Sequence, residues 1–464
     1  MFINIIFDIL TMVIVLYFLT EAALSNLQTK QKLEKSDILK LFTSGCKTSR
    51  DLNVGIEYER LPISKLTNTA VPYDGDFGIC DFLRTFAKKE NWDYITDDYS
   101  IIGLKQNHDT ITLEPGCQVE LSVKPEKTIF DLKNKIDSLN KKMEPIFEKF
   151  GINLLEYGVS PLSTHKNIRL IPKKRYKIMA GYLWGILSDV MMRETAGIQG
   201  AFDFTDEEDA IKKFNIANKL SPFMTAMFAN SPIRGGVETG YKTFRALSWL
   251  NTDNDRCGFC GKMEGDFSFE KYVDNVLKSP MIFINRNGAP IPLKGKINFE
   301  EFMQKGFGDF DAEIDDFNLH ANLYFPEVRL RNFIEIRNHD CAGKNLIYAV
   351  LAIYKGILYN KSAMDEIDKL FAKFTYEDFA ELRYNVPKNA LDSEISGTKI
   401  SNIAKEILYI AEKSLIEMDT KEEKFLEPIK ALTLEGLCPA DIILRNWNGL
   451  WNKDISRLIK YLSK

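Results

Sequence analysis

The stretch from Ile111 to Val123 places two carboxylates inside sequence that is otherwise typical of β-strands. Apolar residues alternate on both sides of Pro115-Gly116, a turn signal, so two strands joined by a turn are predicted. Glu114 and Glu120 flank that turn. Buried acids are costly unless a cation neutralises them. The stretch therefore predicts a site where the positive charge comes either from Mg²⁺, which prefers oxygen ligands, or from a buried arginine.

A second pair of acids lies in the segment Val54 to Arg60, which alternates with a period of two residues. Because successive side chains of a strand point to opposite faces, Glu57 and Glu59 share one face and Ile56 and Tyr58 share the other. The segment predicts another strand that presents two carboxylates on one side.

The clearest alternation in the chain runs from Glu327 to Arg337 and predicts a single strand. Apolar residues occupy one face, and the other carries Glu327, Arg329, Arg331, Glu335 and Arg337. A strand with one face in water shows the same pattern, so a solvated face and a face that looks into a site both stay open.

Taken together, the three segments contribute five acids: Glu57, Glu59, Glu114, Glu120 and Glu335. If they converge, their mutual repulsion predicts divalent cations between them, and Mg²⁺ in turn binds nucleotide phosphates. Arg337 would then offset the charge of a transferred phosphoryl group. The sequence has no Walker loop and no dinucleotide glycine fingerprint.

Composition narrows the class of protein. With 61 basic and 65 acidic residues the net charge is −4, which gives no reason to expect nucleic acid as a partner. A hydrophobic content of 45% indicates a globular chain. The seven scattered cysteines favour a reducing compartment, hence the cytoplasm, over a disulfide framework. Cys257 and Cys260 form a lone C-x-x-C, which could be half a zinc site or a redox pair.

The first 35 residues are predicted to be an apolar extension. No Lys or Arg precedes Lys30, which argues against a secretory signal, so residues 1–20 are interpreted either as a membrane anchor or as a packing helix. The remainder, residues 36–464, contains no repeat or low-complexity linker and is expected to form one catalytic domain.

Other segments supply context for these acids. A helix is predicted from Lys127 to Phe150, and a basic non-helical loop from Tyr157 to Met179. Residues Ala196 to Phe204 are predicted to be a strand, with Gln199, Ala201 and Asp203 on one face. The Gly-rich segment Asn230 to Tyr241 is long enough to serve as a lid.

Six segments resemble the glutamate–cysteine ligases of the plant and proteobacterial type, in the same order and with similar spacing. They are Val54 to Arg60, Ile111 to Ser122, Arg193 to Asp203, Asn230 to Trp249, Thr252 to Gly258 and Phe325 to Arg337. The resemblance implies an α+β, glutamine synthetase-like fold: a curved, mostly antiparallel sheet with helices on its outer face.

The resemblance also implies a reaction. The γ-carboxylate of L-glutamate would attack the γ-phosphate of ATP, and the amine of L-cysteine would displace phosphate from the γ-glutamyl phosphate, the first step of glutathione synthesis. The five acids would hold two or three Mg²⁺ ions, with Glu335 and Arg337 as the catalytic pair. Gln199, Asp203, Arg256 and Arg329 would bind the nucleotide, and Arg175, Tyr176 and Arg245 the substrates.

The chain departs from the family pattern at Ala201, where many relatives have Asn, and in the segment after Arg337. The acids define the activation step better than the amine acceptor, so a different acceptor stays open. A noncatalytic redox or binding protein that uses Cys257 and Cys260, and a membrane-tethered scaffold, are the alternatives from other classes. Monomer and homodimer are both compatible with the sequence.

Overall fold

A computed structural model describes residues 32–261 and 267–463. Its centre is a sheet of nine strands in which every neighbouring pair is antiparallel. The strands are β1 (Val54–Ser64), β2 (Asp93–Asp97), β3 (Ser100–Gln106), β4 (Asp109–Leu113), β5 (Val119–Glu126), β6 (Ile152–Leu155), β7 (Gly197–Phe202), β14 (Val328–Leu330) and β15 (Ile334–Asp340). The predicted α+β class with a mostly antiparallel sheet is confirmed.

The strand order brings distant parts of the chain together. It runs β14, β15, β7, β1, β5, β4, β3, β2, and β6 pairs with the far end of β1. Thus β1, which carries one acid pair, lies between β5, which carries Glu120, and β7, which carries Gln199. β15 pairs with β7, and β14 pairs with β15.

In the described residues, eight short strands form four small two-stranded pairs outside this sheet. They are β8 (Ile233–Arg234), β9 (Val237–Glu238), β10 (Cys257–Gly258), β11 (Phe283–Arg286), β12 (Ala289–Pro292), β13 (Phe325–Pro326), β16 (Glu394–Ile395) and β17 (Thr398–Lys399). The segment predicted as a lid contains the hairpin of β8 and β9.

Helices account for most of the remaining structure. Those before the last strands are α1 (Lys35–Thr43), α2 (Ile79–Glu90), α3 (Ile129–Lys149), α4 (Lys174–Tyr182), α5 (Ser188–Glu194), α6 (Glu207–Met227), α7 (Phe244–Leu250), α8 (Phe269–Lys278), α9 (Phe299–Lys305) and α10 (Ile314–Asn322). Those that follow are α11 (Lys344–Leu358), α12 (Lys361–Phe371), α13 (Tyr376–Asn389), α14 (Ile400–Glu417), α15 (Glu427–Leu434), α16 (Pro439–Asn448) and α17 (Ile455–Leu462).

Alternation along β7 separates the two faces of the sheet. Phe202 is fully buried and its ring lies 5.8 Å from that of Tyr354 on α11. A Cβ added at Gly200 would lie 3.1 Å from Leu351 of the same helix, so the backbone packs closely there. Gln199 and Ala201 point to the other face. One face of the sheet therefore packs on helices and leaves the other for a site.

Two local predictions are wrong. The segment Glu327 to Arg337 is a hairpin of β14 and β15 with a turn at residues 331–333, and not one strand. The basic segment before Met179 is not wholly irregular, because α4 begins at Lys174 once Pro172 has been passed. Proline disrupts a helix only at the residues near it, so the part of the segment after Pro172 is helical.

Buried hydrophobic residues form one core that extends from Leu33 to Leu462. This shared core supports the proposal that residues 36–464 form a single catalytic domain. No helix in the two described ranges has both the length and the apolar composition needed to cross a bilayer. The apolar extension predicted over residues 1–35, with its anchor at residues 1–20, lies outside the described residues except at residues 32–35.

Candidate active site

A cavity of about 330 Å³ lies on the face of the sheet that the core helices leave free. Four carboxylates and five arginines line it: Glu57, Glu59, Glu114, Glu120, Arg175, Arg245, Arg329, Arg331 and Arg337. Gln118, Tyr176, Gln199 and Trp249 complete its polar wall. The structure thus brings together most of the residues that the sequence singled out.

Antiparallel register explains this convergence. Glu59 lies directly opposite Glu120 on β5, and Glu57 lies opposite Gln199 on β7. Ala201 lies opposite Glu335 on β15. Because residues opposite each other in neighbouring strands point to the same face, these positions form adjoining rows across the sheet. The acids are concentrated at β5 and β1, and the arginines at β14 and β15.

Arg329, Glu335 and Arg337 form a buried ion network. Arg329 donates to both oxygens of Glu335, at 2.6 Å from Nε and 2.9 Å from Nη2. Arg337 Nη1 donates to Glu335 Oε1 at 2.9 Å and to Gln199 Oε1 at 2.5 Å. Burial acts to raise the pKa of Glu335, but the two guanidinium groups outweigh it and lower that pKa to about 2. Glu335 is therefore an anion that fixes two arginines.

The acids of β1 and β5 have raised pKa values, in contrast to the lowered pKa of Glu335. Burial, together with the charge of Glu335, raises the pKa of Glu57 to about 7. Burial and the neighbouring Glu114 raise the pKa of Glu59 to about 7. For Glu120, burial and then Glu57 raise the pKa well above its ordinary value. Like charges held together in this way bind protons or cations more readily than isolated acids.

The turn that joins β4 to β5 is held rigidly. Cys117 has φ +72°, a left-handed conformation, and its N–H donates to Glu114 O at 3.0 Å. A Cβ added at Gly116 would lie 2.2 Å from Arg193 O, so only glycine fits there. The Tyr176 hydroxyl lies 3.4 Å from both oxygens of Glu114. The predicted Pro-Gly turn therefore positions Glu114 at the cavity wall.

Arg245 lies on α7 and is buried, with 3% of its surface exposed. Its Nη2 donates to Arg337 O at 3.1 Å, while Nε and Nη1 have no acceptor among the described residues. Burial lowers its pKa, and the carboxylate of Glu59 acts against that change. A buried guanidinium with two free donors is suited to an anionic ligand.

Two of the predicted nucleotide residues do not line the main cavity. Arg256 is fully enclosed, where it pairs with Asp253 at 2.6 Å and donates to Leu323 O, Pro280 O and the Tyr182 hydroxyl. Its donors are thus used inside the protein. Asp203 pairs with Lys47 at 2.7 Å and lines a separate cavity of about 300 Å³, which shares Glu57 and Gln199 with the main one.

The sequence analysis did not single out two residues of the cavity, Gln118 and Trp249. Gln118 accepts from Gly116 N at 2.7 Å and donates to Thr195 O at 2.8 Å, so it fixes the turn against the start of β7. Its position within the first acidic motif was the available signal. Trp249 ends a resembling segment but has no chemical signature of its own. Glu327, predicted on the same face as Arg337, instead pairs with Arg383 and Ser221.

The carboxylates of the cavity are the candidate ligands for a metal ion. In residues 32–261 and 267–463, no three His, Cys, Asp or Glu side chains lie close enough together to hold an ion. Mg²⁺ nonetheless binds through one or two carboxylates together with water and phosphate oxygens, and Glu57, Glu59, Glu114 and Glu120 offer such donors. Cys257 and Cys260 are free thiols, and burial raises the pKa of each to about 12, which disfavours a reactive redox pair.

Comparison with known proteins gave one consistent result. A family model described as glutamate-cysteine ligase family 2 (GCS2) matches residues 53–461. Glutamate–cysteine ligase A, chloroplastic, of Oryza sativa subsp. indica is 32% identical over 441 residues, covering 94% of this chain and 89% of that protein. Glutamate–cysteine ligase, chloroplastic, of Arabidopsis thaliana is 32% identical over 438 residues, covering 93% of this chain and 83% of that protein.

A solved structure has the same fold. The glutamate–cysteine ligase of Francisella tularensis, determined in complex with AMP, superposes with a TM-score of 0.56 and covers 88% of each chain. Its sequence identity is 14%, so this likeness concerns the fold alone.

Proposed function

We propose, from the premise that this chain belongs to glutamate–cysteine ligase family 2, that the cavity of carboxylates and arginines is its active site. The enzyme joins the γ-carboxylate of L-glutamate to the amine of L-cysteine at the expense of ATP. The observation that carries the site assignment is the register of β5, β1, β7 and β15, which gathers acids and arginines from four strands on one face.

The arginine half of the cavity suits the first of the two partial reactions. In the first, the γ-carboxylate of glutamate attacks the γ-phosphate of ATP, and ADP leaves. Arg337 is held by Gln199 and Glu335 beside that half of the cavity, where a fixed guanidinium stabilises the charge of the phosphoryl group in transit. In the second, the amine of cysteine attacks the γ-glutamyl phosphate, and phosphate leaves.

Glu57, Glu59, Glu114 and Glu120 would hold magnesium in this proposal. When bound, Mg²⁺ neutralises charge on the phosphates of ATP. The support is the raised pKa of Glu57, Glu59 and Glu120, since crowded acids gain most from a cation. Both oxygens of Glu335 already accept from arginine, so it is the least available of the five predicted metal ligands.

The adjoining cavity of about 300 Å³ is proposed to receive the base of the nucleotide. Its floor is Gly55 and Ala201, whose small size leaves room above the sheet, and its sides are Pro125 and Phe333. Because Glu57 and Gln199 border both cavities, a nucleotide whose base lies here would direct its phosphates toward Arg337. Ala201, where the resemblance leads us to expect Asn, makes this cavity less polar.

Four further features remain proposals. The seven free cysteines support the cytoplasm as the place of action. The net charge of −4 supports the absence of nucleic acid as a partner. The other two are membrane contact through residues 1–20 and assembly as a monomer or a homodimer.

The decisive experiment measures ADP release by the purified full chain with ATP, Mg²⁺ and L-glutamate, with and without L-cysteine. We expect release that requires both amino acids, and γ-glutamylcysteine as the product identified by mass. Glu57→Gln is expected to lower kcat by about 10²-fold or more, the size found when one charge-stabilising group is removed. Glu148→Gln, an exposed acid on α3, is the matched control.

Two results would count against the proposal. ADP release that does not depend on glutamate would overturn the ligase function. A Glu57→Gln variant that keeps its full rate would remove the carboxylates from the mechanism, provided that its melting temperature matches that of the wild type.

A further inference from the structure

A cavity of about 130 Å³ lies on the opposite face of the main sheet from the active site. Glu57 and Glu59 of β1 line the active site, and Arg60 is the next residue along that strand. Because successive side chains of a strand point to opposite faces, Arg60 points away from the active site and into this second cavity, between β1, β6 and α3. None of the described residues lines both cavities.

Arg60 carries hydrogen-bond donors that the protein does not use. The residue is 5% exposed, and its guanidinium carbon lies 4.8 Å from the ring centre of Tyr58. Nε and Nη2 are both buried and have no acceptor among the described residues. Because buried donors without acceptors are costly, they indicate a missing partner that supplies oxygen atoms.

The two unused donors lie on one edge of the guanidinium. An arginine binds both oxygens of a carboxylate through such an edge, with two parallel hydrogen bonds. Arg329 uses the same two atoms, Nε and Nη2, to bind both oxygens of Glu335. The free edge of Arg60 is therefore suited to a carboxylate.

The cavity also offers an unused acceptor. Asn140 lines it from α3, and the Oδ1 atom of Asn140 is buried without a donor among the described residues. A ligand that satisfies both Arg60 and Asn140 must carry a donor group as well as a carboxylate.

The charge of the lining favours the same kind of ligand. Three acids and two bases line the cavity: Glu144, Glu148, Glu156, Arg60 and Lys65. Lys65 is already paired with Glu148, and Glu156 accepts from the Tyr58 hydroxyl. A simple anion would add to this excess of negative charge, whereas a zwitterion leaves it unchanged.

Size limits the ligand further. A cavity of about 150 Å³ holds a benzene molecule, so one of about 130 Å³ admits a molecule of roughly that size or smaller. Glycine and alanine are within this limit, and L-glutamate exceeds it. Met143 and Phe147 supply an apolar part of the wall.

On these grounds we propose that the cavity beside Arg60 is a binding site for a small α-amino acid. The ligand carboxylate accepts from Nε and Nη2 of Arg60, and the ligand ammonium group donates to Asn140 Oδ1. The site is separate from the active site, and the inference does not depend on the proposed ligase function.

The test is isothermal titration calorimetry of the purified full chain with glycine. ADP, Mg²⁺ and L-glutamate are present throughout, so that the active site is filled. We expect glycine to bind under these conditions. Acetate lacks the ammonium group and methylamine lacks the carboxylate, and we expect each to bind at least tenfold more weakly than glycine.

Two variants test the two ends of the ligand. Arg60→Met should weaken glycine binding at least tenfold, as for the loss of hydrogen bonds to a charged group. Asn140→Ala should weaken the binding of glycine and leave that of acetate within twofold. Arg50→Met and Asn134→Ala replace exposed residues, Asn134 on the same helix as Asn140, and are the matched controls.

Thermal unfolding distinguishes a ligand site from a structural role of Arg60. Without glycine, the melting temperature of Arg60→Met should equal or exceed that of the wild type, because the change removes unsatisfied buried donors. Glycine at about 10 mM should raise the melting temperature of the wild type and not that of Arg60→Met.

Three outcomes would overturn the inference. A lower melting temperature of ligand-free Arg60→Met would show that the guanidinium has a partner inside the protein. Glycine binding that is equal in wild type and Arg60→Met, or that disappears when the active site is filled, would place the ligand elsewhere. Acetate binding as tightly as glycine would exclude an amino-acid site. None of these measurements requires ligase turnover, so failure of the proposed function would leave them interpretable.

Discussion

Arg329 and Glu335 face each other in register across the hairpin of β14 and β15, joined by two hydrogen bonds of 2.6 and 2.9 Å. Both side chains are at most 8% exposed. The pair anchors Arg337, which shares the same carboxylate oxygen, so the geometry of the arginine half of the cavity depends on it.

Replacing Arg329 with Met should be strongly destabilising, because one partner of a buried ion pair is removed and Glu335 keeps only Arg337. We expect the free energy of unfolding, measured by urea titration, to fall by about 3–5 kcal/mol. Lys421→Met, which breaks an exposed ion pair with Asp419, should leave the free energy of unfolding nearly unchanged. Equal effects of the two changes would contradict the anchoring role.

Ala201→Leu should interfere with ATP rather than with the amino acids. The added side chain would occupy the floor of the cavity assigned to the base, so we expect the KM for ATP to rise about tenfold, the effect of losing roughly 1.4 kcal/mol of binding. Initial rates at varied ATP and fixed glutamate measure it, with Ala289→Leu in the exposed part of β12 as control. An unchanged KM for ATP would mean that the base binds elsewhere.

Gly116→Ala should damage the turn that carries Glu114. The new Cβ would meet backbone atoms of Arg193 at 2.2 to 2.9 Å, and backbone cannot move aside as a side chain can. We expect a loss of about 1–3 kcal/mol in the free energy of unfolding, as for overpacking, together with reduced activity. Gly181→Ala is the control, since no atom lies within 4 Å of its added Cβ. A Gly116→Ala variant as stable as the control would show that the turn can shift.

His320 should make stability depend on pH. It is 2% exposed, its Nε2 lies 2.9 Å from Val276 O, and burial lowers its pKa to about 4. In the unfolded chain the pKa of histidine is about 6.5. As the pH falls below that value the unfolded state binds the proton first, so stability is lost between about pH 6.5 and 4 and is unaffected by this group above that range.

The slope due to His320 should approach about 1.4 kcal/mol per pH unit within that window. His320→Gln removes it, so the difference between wild type and variant in unfolding free energy should shrink as the pH is lowered from 7 to 4. His108→Gln, in the exposed turn between β3 and β4, should retain the full slope. Parallel pH profiles for wild type and His320→Gln would refute the assignment.

Short-range patterns predicted much of the site. The period of two in Val54 to Arg60 correctly put Glu57 and Glu59 on one face, and the Pro-Gly signal correctly separated β4 from β5. These features depend on local backbone geometry, which the sequence encodes directly. That the strands lie side by side was inferred from the resemblance, since alternation alone says nothing about which strand pairs with which.

Contacts between residues that are distant in sequence could not be predicted from these short-range patterns. Arg329 and Glu335 share a face whether their segment is one strand or a hairpin, so the alternation could not distinguish the two. Arg256 has the charge expected of a phosphate ligand, but its acceptors at Leu323 O and Pro280 O are backbone atoms distant in sequence. Trp249 could be identified only from the structure, where its Nε1–H and two donor nitrogens of Arg245, on the same helix, are buried without an acceptor among the described residues.

β14 and β15 are the last strands of the main sheet in chain order, and this affects how the site forms while the chain is synthesised. Acids on β1 and β5 are translated early, whereas Arg329, Arg331 and Arg337 emerge only after residue 328. Until then a growing polypeptide lacks three of the five arginines that line the cavity with these acids, and pairing across such sequence separations is slow. Chains that terminate before β15 should therefore lack even a partial activity.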